Sequence, residues 1–307
     1  MFKPIWPYLG GKARIAAEVW RRFGQPSSYI EPFFGAGAVL CLRPNPKGRE
    51  VVNDLNGFVV NAWRSVKLYP DIVKTFLDDP INETELFARH KWLMDIAKDT
   101  DFLELLEKDP EYCYPQAAGY WIWGQCCWIG SGWCDLDKDG SHYRKRPMTE
   151  HRHGALTHSG DKLTAFLETF QTRMRNVYVL CGDWARCVTP KVLELDKGTE
   201  LVGIFLDPPY TAKADRQAGL YGKDSLTVGD DVAEWCRANG GDHWLRIALC
   251  GYVGEYEMPK DWSVINWVTS GGMGNTGKAN KSQGAANRLK ECIWFSPHCL
   301  KPGLMNQ

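Results

Sequence analysis

The run Leu201-Val202-Gly203-Ile204-Phe205-Leu206 is apolar without interruption and stops at Asp207-Pro208-Pro209-Tyr210. A short apolar stretch with no polar alternation fits a strand buried on both faces, as parallel sheets provide. Proline donates nothing to a sheet ladder and restricts the residue before it, so the chain leaves the sheet at Asp207. In an open α/β sheet, ligands bind outside the carboxyl ends of the strands, where this exit lies. Asp207 offers an acceptor-only carboxylate, the prolines offer carbonyls without neighbouring N–H donors, and Tyr210 offers a ring. Together they suit a flat heterocycle carrying an amino group, whose two N–H bonds go to Asp207 and the Pro208 carbonyl while Tyr210 covers its face. The plain alternative is a proline-rich turn after a core strand.

A chain of 307 residues can bury a large core, as one catalytic domain with an insertion or as two lobes. Its 44% hydrophobic and 24% charged content is that of an ordinary globular protein. No apolar stretch approaches the roughly 20 residues needed to span a bilayer, and Met1–Pro7 has no signal-type apolar region, so a cytoplasmic protein with no membrane partner is expected. Basic and acidic side chains balance at 37 each, so any nucleic-acid surface must be local. Eleven scattered cysteines without a paired C-x-x-C read as reduced, mostly buried thiols. Cys126, Cys127 and Cys134 near His142 lack zinc-ligand spacing, and no metal is expected. The 14 tryptophans and 12 tyrosines exceed what a core of this size needs, which suggests that some face a ligand or bases.

Other strand ends carry chemistry of their own. Gly10-Gly11-Lys12 precedes a helical pattern at Ile15, Val19, Trp20 and Phe23 that ends at Gly24. The G-x-x-x-x-G-K-[ST] spacing of a triphosphate loop is absent, and Lys12 is either a mobile point charge for a carboxylate or a solvated lysine. A strand at Ser28–Ile30 enters Glu31-Pro32-Phe33-Phe34-Gly35-Ala36-Gly37, where the glycines let a ligand approach the backbone at a helix start. A nicotinamide fingerprint needs Gly or Ala where Leu40 stands. A second strand, Glu50–Asn53, ends at Asp54, about 20 residues past the glycine loop, where an acid accepts ribose hydroxyls. A helix N-cap before Phe58 is the other reading of Asp54. A strand at Asn176–Cys181 leads to Asp183-Trp184, an acid and a ring suited to the amino group and face of adenine.

The intervening residues, from about Val66 to Leu106, follow helical periodicity with alternating surface charge. Tyr143-Arg144-Lys145-Arg146, with Arg152 shortly after, interleaves basic and aromatic groups as phosphate contacts do, although a charge run also serves as a solvated face. Beyond the Asp207 strand, the pattern gives a helix over Asp230–Ala238, a strand over His243–Cys250, and strands near Trp262–Val268 and Glu291–Phe295. Between the last two lies a Gly-, Asn- and Lys-rich loop that carries Lys278 and Lys281.

The E-P-F-x-G-x-G loop, Asp54-x-Asn56, Asp183-Trp184 and the D-P-P-Y form, in this order after an N-terminal aromatic-x-Gly-Gly-Lys, resemble the Dam-like, alpha-group adenine-specific DNA methyltransferases. The resemblance implies a Rossmann-like, class I S-adenosylmethionine-dependent α/β fold with a mixed, mostly parallel sheet. It implies a catalytic domain of residues 1–65 and 174–307 with a helical and target-recognition insertion at 66–173. The implied reaction is methyl transfer from S-adenosylmethionine to the N6 amino group of adenine in DNA, with the base flipped out of the helix. By resemblance, Asp207, Pro208, Pro209 and Tyr210 are catalytic. Tyr8, Gly11, Lys12, Glu31, Pro32, Gly35, Gly37, Asp54, Asp183, Trp184 and Asp207 hold the cofactor. Tyr143, Arg144, Lys145, Arg146, Arg152, Lys278 and Lys281 are the expected nucleic-acid contacts. One segment departs from the pattern: Gly124-Gln125 stands where the family has Asn-Arg. An RNA adenine methyltransferase and a non-catalytic nucleic-acid-binding relative are the alternatives.

Overall fold

The computed structural model describes residues 3–8, 11–98, 100–128, 133–134, 153–194, 201–209, 227–267 and 291–301. In chain order the elements are α1 (Ala16–Phe23), β1 (Ser28–Glu31), α2 (Ala38–Cys41), β2 (Arg49–Asp54), α3 (Gly57–Leu68), α4 (Pro70–Leu77), α5 (Glu83–Lys98), α6 (Thr100–Lys108) and α7 (Pro115–Cys127). They continue with α8 (Gly160–Met174), β3 (Val177–Cys181), α9 (Pro190–Glu194), β4 (Val202–Leu206), α10 (Val228–Asn239), β5 (Leu245–Tyr252), β6 (Ser263–Asn266) and β7 (Glu291–Phe295). Among the described residues the strands form one seven-stranded sheet in the order β3-β2-β1-β4-β5-β7-β6.

Strand β1 pairs in parallel with β2 and β4, and β4 pairs in parallel with β5. The chain then reverses, and β7 runs antiparallel to both β5 and β6. This is the mixed, mostly parallel sheet that was expected, with the reversed strand near one edge. Register carries the apolar pattern across the sheet: Val51, Ile30, Ile204 and Ile247 are successive partners, and each is at most 5% exposed. All five residues of β4 are buried, as its unbroken apolar run predicts. Partner residues lie on the same face, so a one-residue slip of β4 would misalign its rows with both neighbours.

Packing divides the chain into two compact units. One is built from the described residues up to 11 and from 53 to 183, the other from 12 to 52 and from 184 onward. In the first, the helices gather around tryptophans: the Trp6 ring lies 5.0 Å from that of Trp63 and 5.2 Å from that of Trp121. The N-terminal segment is held in place as the Ala155 N–H donates to the Ile5 carbonyl. In the second, the buried Arg43–Glu50 pair, 2.8 Å apart, joins the segment after α2 to β2, and the guanidinium also lies over the Trp20 ring.

The core takes up much of the tryptophan surplus. Every tryptophan is buried or half-buried and none is exposed, with Trp6, Trp63, Trp121 and Trp123 among the most enclosed side chains. The cysteines follow expectation: all are free, and only Cys41 and Cys113 are more than slightly exposed.

Gly48 shows how tightly β1 and β2 enter the sheet. It precedes the Ser28–Arg49 register pair at φ 73°, and a Cβ built on it would stand 1.8 Å from the Ser27 carbonyl oxygen. Neither partner can yield, because both are backbone at strand starts. Gly48→Ala is expected to lower the unfolding free energy by about 2 kcal/mol or more in urea titrations. Gly241→Ala, which meets nothing within 4 Å, should change it by less than about 0.5 kcal/mol. Equal midpoints for the two variants would contradict this reading.

Candidate active site

Strand β4 delivers Asp207 to the carboxyl edge of the parallel strands, and Lys12 meets it there, Nζ to Oδ2 at 2.8 Å. Lys12 is only 5% exposed, whereas the Asp207 side chain keeps 20% of its surface open. The lysine is held by its own backbone, since its carbonyl accepts the N–H groups of Ile15 and Ala16 at the entrance to α1. Its ammonium also lies 5.8 Å from the centroid of the Trp267 ring. Of the two readings open for Lys12, the solvated one is excluded.

The β4–β5 register pairs Leu206 with Leu249, which brings Cys250 level with Asp207. The buried Cys250 thiol donates a hydrogen bond to the Asp207 carboxylate. Burial, followed by the nearby Asp207 charge, keeps that thiol protonated well above its ordinary range. Burial is also the largest influence on Asp207 and raises its pKa, while the Lys12 charge and the hydrogen bonds from Lys12 and Cys250 oppose the rise. The carboxyl group therefore titrates above the usual carboxylate range. Its surroundings include a further polar group, the buried Tyr256 hydroxyl, which has no hydrogen-bond partner among the described residues.

At the end of β1, Glu31 is 3% exposed and accepts a hydrogen bond of 2.9 Å from the Tyr29 hydroxyl. Pro32 follows, and the chain turns through Gly35 at φ 49° and Gly37 at φ 64°, with the Gly37 N–H donating to the Phe34 carbonyl before α2. Phe33, in the same loop, stacks against Trp184 with ring centroids 6.3 Å apart and planes 24° from parallel. Trp235 of α10 meets the other aromatic partner edge-on, 6.4 Å from Trp184.

In the helical unit, β2 ends at a half-buried Asp54 whose Oδ1 accepts the Asn56 N–H at 2.9 Å. The N-cap of α3 is Asn56, whose side chain takes the Phe58 N–H. Asp54 is therefore not the helix cap that the sequence left open, but the acid that shapes the turn before it. Its carbonyl accepts the Gly182 N–H, and the Asn53 amide donates to the Gly182 carbonyl at 2.9 Å. This double tie fixes the backbone at Asp54 beside the exposed Asp183. Tyr8 is half-buried in the same unit, with Gly11 ending the segment.

Helix α7 explains the departure at Gly124-Gln125. A Cβ on Gly124 would stand 1.8 Å from the Trp133 ring, whose Nε1 donates to the Trp121 carbonyl. An asparagine there would displace Trp133, so this part of α7 serves the core. Tyr210 and the expected nucleic-acid contacts Tyr143, Arg144, Lys145, Arg146, Arg152, Lys278 and Lys281 lie outside the described residues, as does the Gly-rich loop. Among the described residues, no group of three or more His, Cys, Asp or Glu side chains is placed to hold a metal ion, and no helix is long and apolar enough to cross a membrane.

Residues 8–127 match the D12 class N6 adenine-specific DNA methyltransferases. That match bears out the resemblance to Dam-like adenine methyltransferases read from the motifs, and with it an S-adenosylmethionine-dependent enzyme class. None of the curated proteins compared matches the chain. Among solved structures, an rRNA methyltransferase, aviRa, from Streptomyces viridochromogenes aligns over 96% of this chain and 89% of its own, at 11% identity and a TM-score of 0.36.

Sequence reasoning singled out Lys12 and Asp207 separately, while their pairing came from the packed chain and the part of Cys250 from the β4–β5 register. Counting matched strand ends would have found Cys250, which closes an apolar run as Asp207 does. NMR of the protein labelled with ¹³C at aspartate carboxyls, with Asp207→Asn to assign the signal, should show Asp207 titrating above the ordinary carboxylate range. Lys12→Met should move it further up, because the opposing charge is lost. A titration at or below the ordinary range would refute the burial argument.

Proposed function

We propose that the protein transfers a methyl group from S-adenosylmethionine to the N6 amino nitrogen of adenine in DNA. The observation that carries this reading is a carboxylate set at the exit of a fully buried strand, ahead of two prolines, and paired with a buried lysine. The family match over residues 8–127 supports the same chemistry. The residues at hand fit the cofactor's parts: Asp54 and Asp183 suit ribose hydroxyls and the adenine amino group, and the Gly35–Gly37 turn lets backbone approach closely. Lys12 suits a carboxylate, and Trp184 an aromatic face. S-adenosylmethionine supplies a methyl group made electrophilic by its sulfonium.

The exocyclic nitrogen of adenine is a poor nucleophile because its lone pair is delocalised into the ring. Accepting both of its N–H bonds, through Asp207 and the Pro208 carbonyl, favours a tetrahedral nitrogen and aligns its lone pair. Asp207 acts as a positioner more than as a base, since even a carboxylate of raised pKa is too weak to deprotonate an aryl amine. Lys12 opposes the effect of burial and so favours the ionised carboxylate. The proton leaves only after the nitrogen has become cationic. A duplex hides the nitrogen, so the base flips out, and Tyr210 is the ring proposed to stack on it. Tyr143, Arg144, Lys145, Arg146, Arg152, Lys278 and Lys281 are proposed to hold the phosphates.

Labelled-methyl transfer to unmethylated DNA should fall by about 10³-fold or more in Asp207→Ala, with the thermal melt preserved. Full activity in that variant would end the assignment. The sign of the pH dependence follows from the raised Asp207 pKa: the protonated carboxyl has lost acceptor capacity, so the rate falls as pH drops through that pKa. In Lys12→Met the acid limb should shift to higher pH, and an unchanged limb would show that Lys12 does not govern the carboxylate.

A further inference from the structure

Arg64 lies in the middle of α3, is 2% exposed, and among the described residues makes no ion pair with a carboxylate. All its hydrogen bonds go to peptide carbonyls. Nε and Nη2 converge on the Val179 oxygen at 3.0 and 2.8 Å. Nη1 faces the carbonyls of Leu106, Asp109 and Tyr112 at 3.0, 2.8 and 3.2 Å. Leu106 belongs to the last turn of α6, where carbonyls lack helical partners and a cation is favoured.

One helical turn on, Lys67 Nζ donates to the Val177 carbonyl at 2.9 Å. Residues 64 and 67 share one face of a helix, and the carbonyls of 177 and 179 share one edge of a strand. Among the described residues strand β3 ends the sheet order, so these two cations cover carbonyls that no further described strand takes up. Burying a guanidinium among carbonyls is costly even with the Asp109 and Glu111 charges acting on it, and a methionine would fill the space more cheaply. What the guanidinium adds is directional hold on β3 relative to α3. That hold matters because of what each element adjoins: α3 begins just after Asp54, and β3 runs through Gly182 into Asp183. The Gly182 N–H and carbonyl are both bonded to the Asn53–Asp54 backbone or side chain.

We infer that Arg64, assisted by Lys67, is a positioning residue for cofactor recognition: by gripping the outer edge of β3 it sets where Asp183 stands beside Asp54, and so makes the site selective for the adenine amino group. The inference rests on the proposed cofactor role of Asp183 and Asp54. A purely structural arginine would affect stability and all ligands alike. A positioning arginine affects the distinction between two ligands that differ only at the amino group.

The test is calorimetric binding of S-adenosylhomocysteine and of S-inosylhomocysteine, in which a carbonyl replaces that amino group, to the full-length protein. The wild type should prefer the adenosine compound by about tenfold or more. In Arg64→Met the preference should shrink to about twofold, with the loss falling on the adenosine compound. Arg64→Lys, which can reach Val179 alone, should restore part of it. Lys67→Met removes the weaker grip from a half-buried position and should reduce the preference about threefold; it decides the matter if Arg64→Met does not fold. A folded Arg64→Met with wild-type preference overturns the inference, as does an undiminished preference in Lys67→Met. A wild type that binds both compounds equally removes the role of Asp183 itself and takes the inference with it, while methyl transfer to adenine would still stand or fall on Asp207.

Discussion

A carboxylate that leaves a fully buried strand has to be given a partner, and at Asp207 that partner is Lys12. Without the ammonium, burial would raise its pKa further and favour the protonated form, which has less capacity to accept hydrogen bonds. With the ammonium it stays an acceptor at the end of β4, at the place where an open sheet presents ligands. The opposition is balanced: burial raises the carboxyl pKa, and Lys12 and the Cys250 thiol restrain the rise. A site built this way gains a preorganised acceptor at the expense of an acid-sensitive one.

The parallel strands around β4 are what make that placement dependable. Register ties Ile204 to Ile30 on one side and Ile247 on the other, so the end of β4 cannot move without disturbing two buried rows. The same logic extends to the sheet's outer strand through different means. There, Lys67 and Arg64 hold the carbonyls of Val177 and Val179 from the side. Strand pairing sets Asp207, and side-chain donors set the approach to Asp183.

Much of this was legible in the sequence because strand ends announce themselves. Leu201–Leu206, Glu50–Asn53 and Asn176–Cys181 each stop at an acid or just before one, and each became a strand within a residue or two of the expected bounds. What the sequence hid depends on distant contacts. Nothing local in Gly124 says that Trp133 will lie against it, and nothing in Arg64 says that its charge will be spent on four carbonyls. The tryptophan count was read as a hint of stacking on a ligand or bases, and the helical unit takes up Trp6, Trp63 and Trp121 in its own core. At Asp54 the sequence left a cap and a ribose acid both open, and the cap proved to be Asn56. Periodicity finds elements, while long-range side-chain partners need the packed chain.

The account stands or falls on which nitrogen receives the methyl group. Unmethylated DNA and a matched RNA, each incubated with the protein and labelled S-adenosylmethionine and then digested to nucleosides, can be resolved by mass spectrometry. The account predicts label in N6-methyl-2′-deoxyadenosine and none in the nucleosides of the RNA. Label in a cytosine product or only in RNA adenosine, or no labelled nucleoside from a folded protein that binds the cofactor, would contradict it.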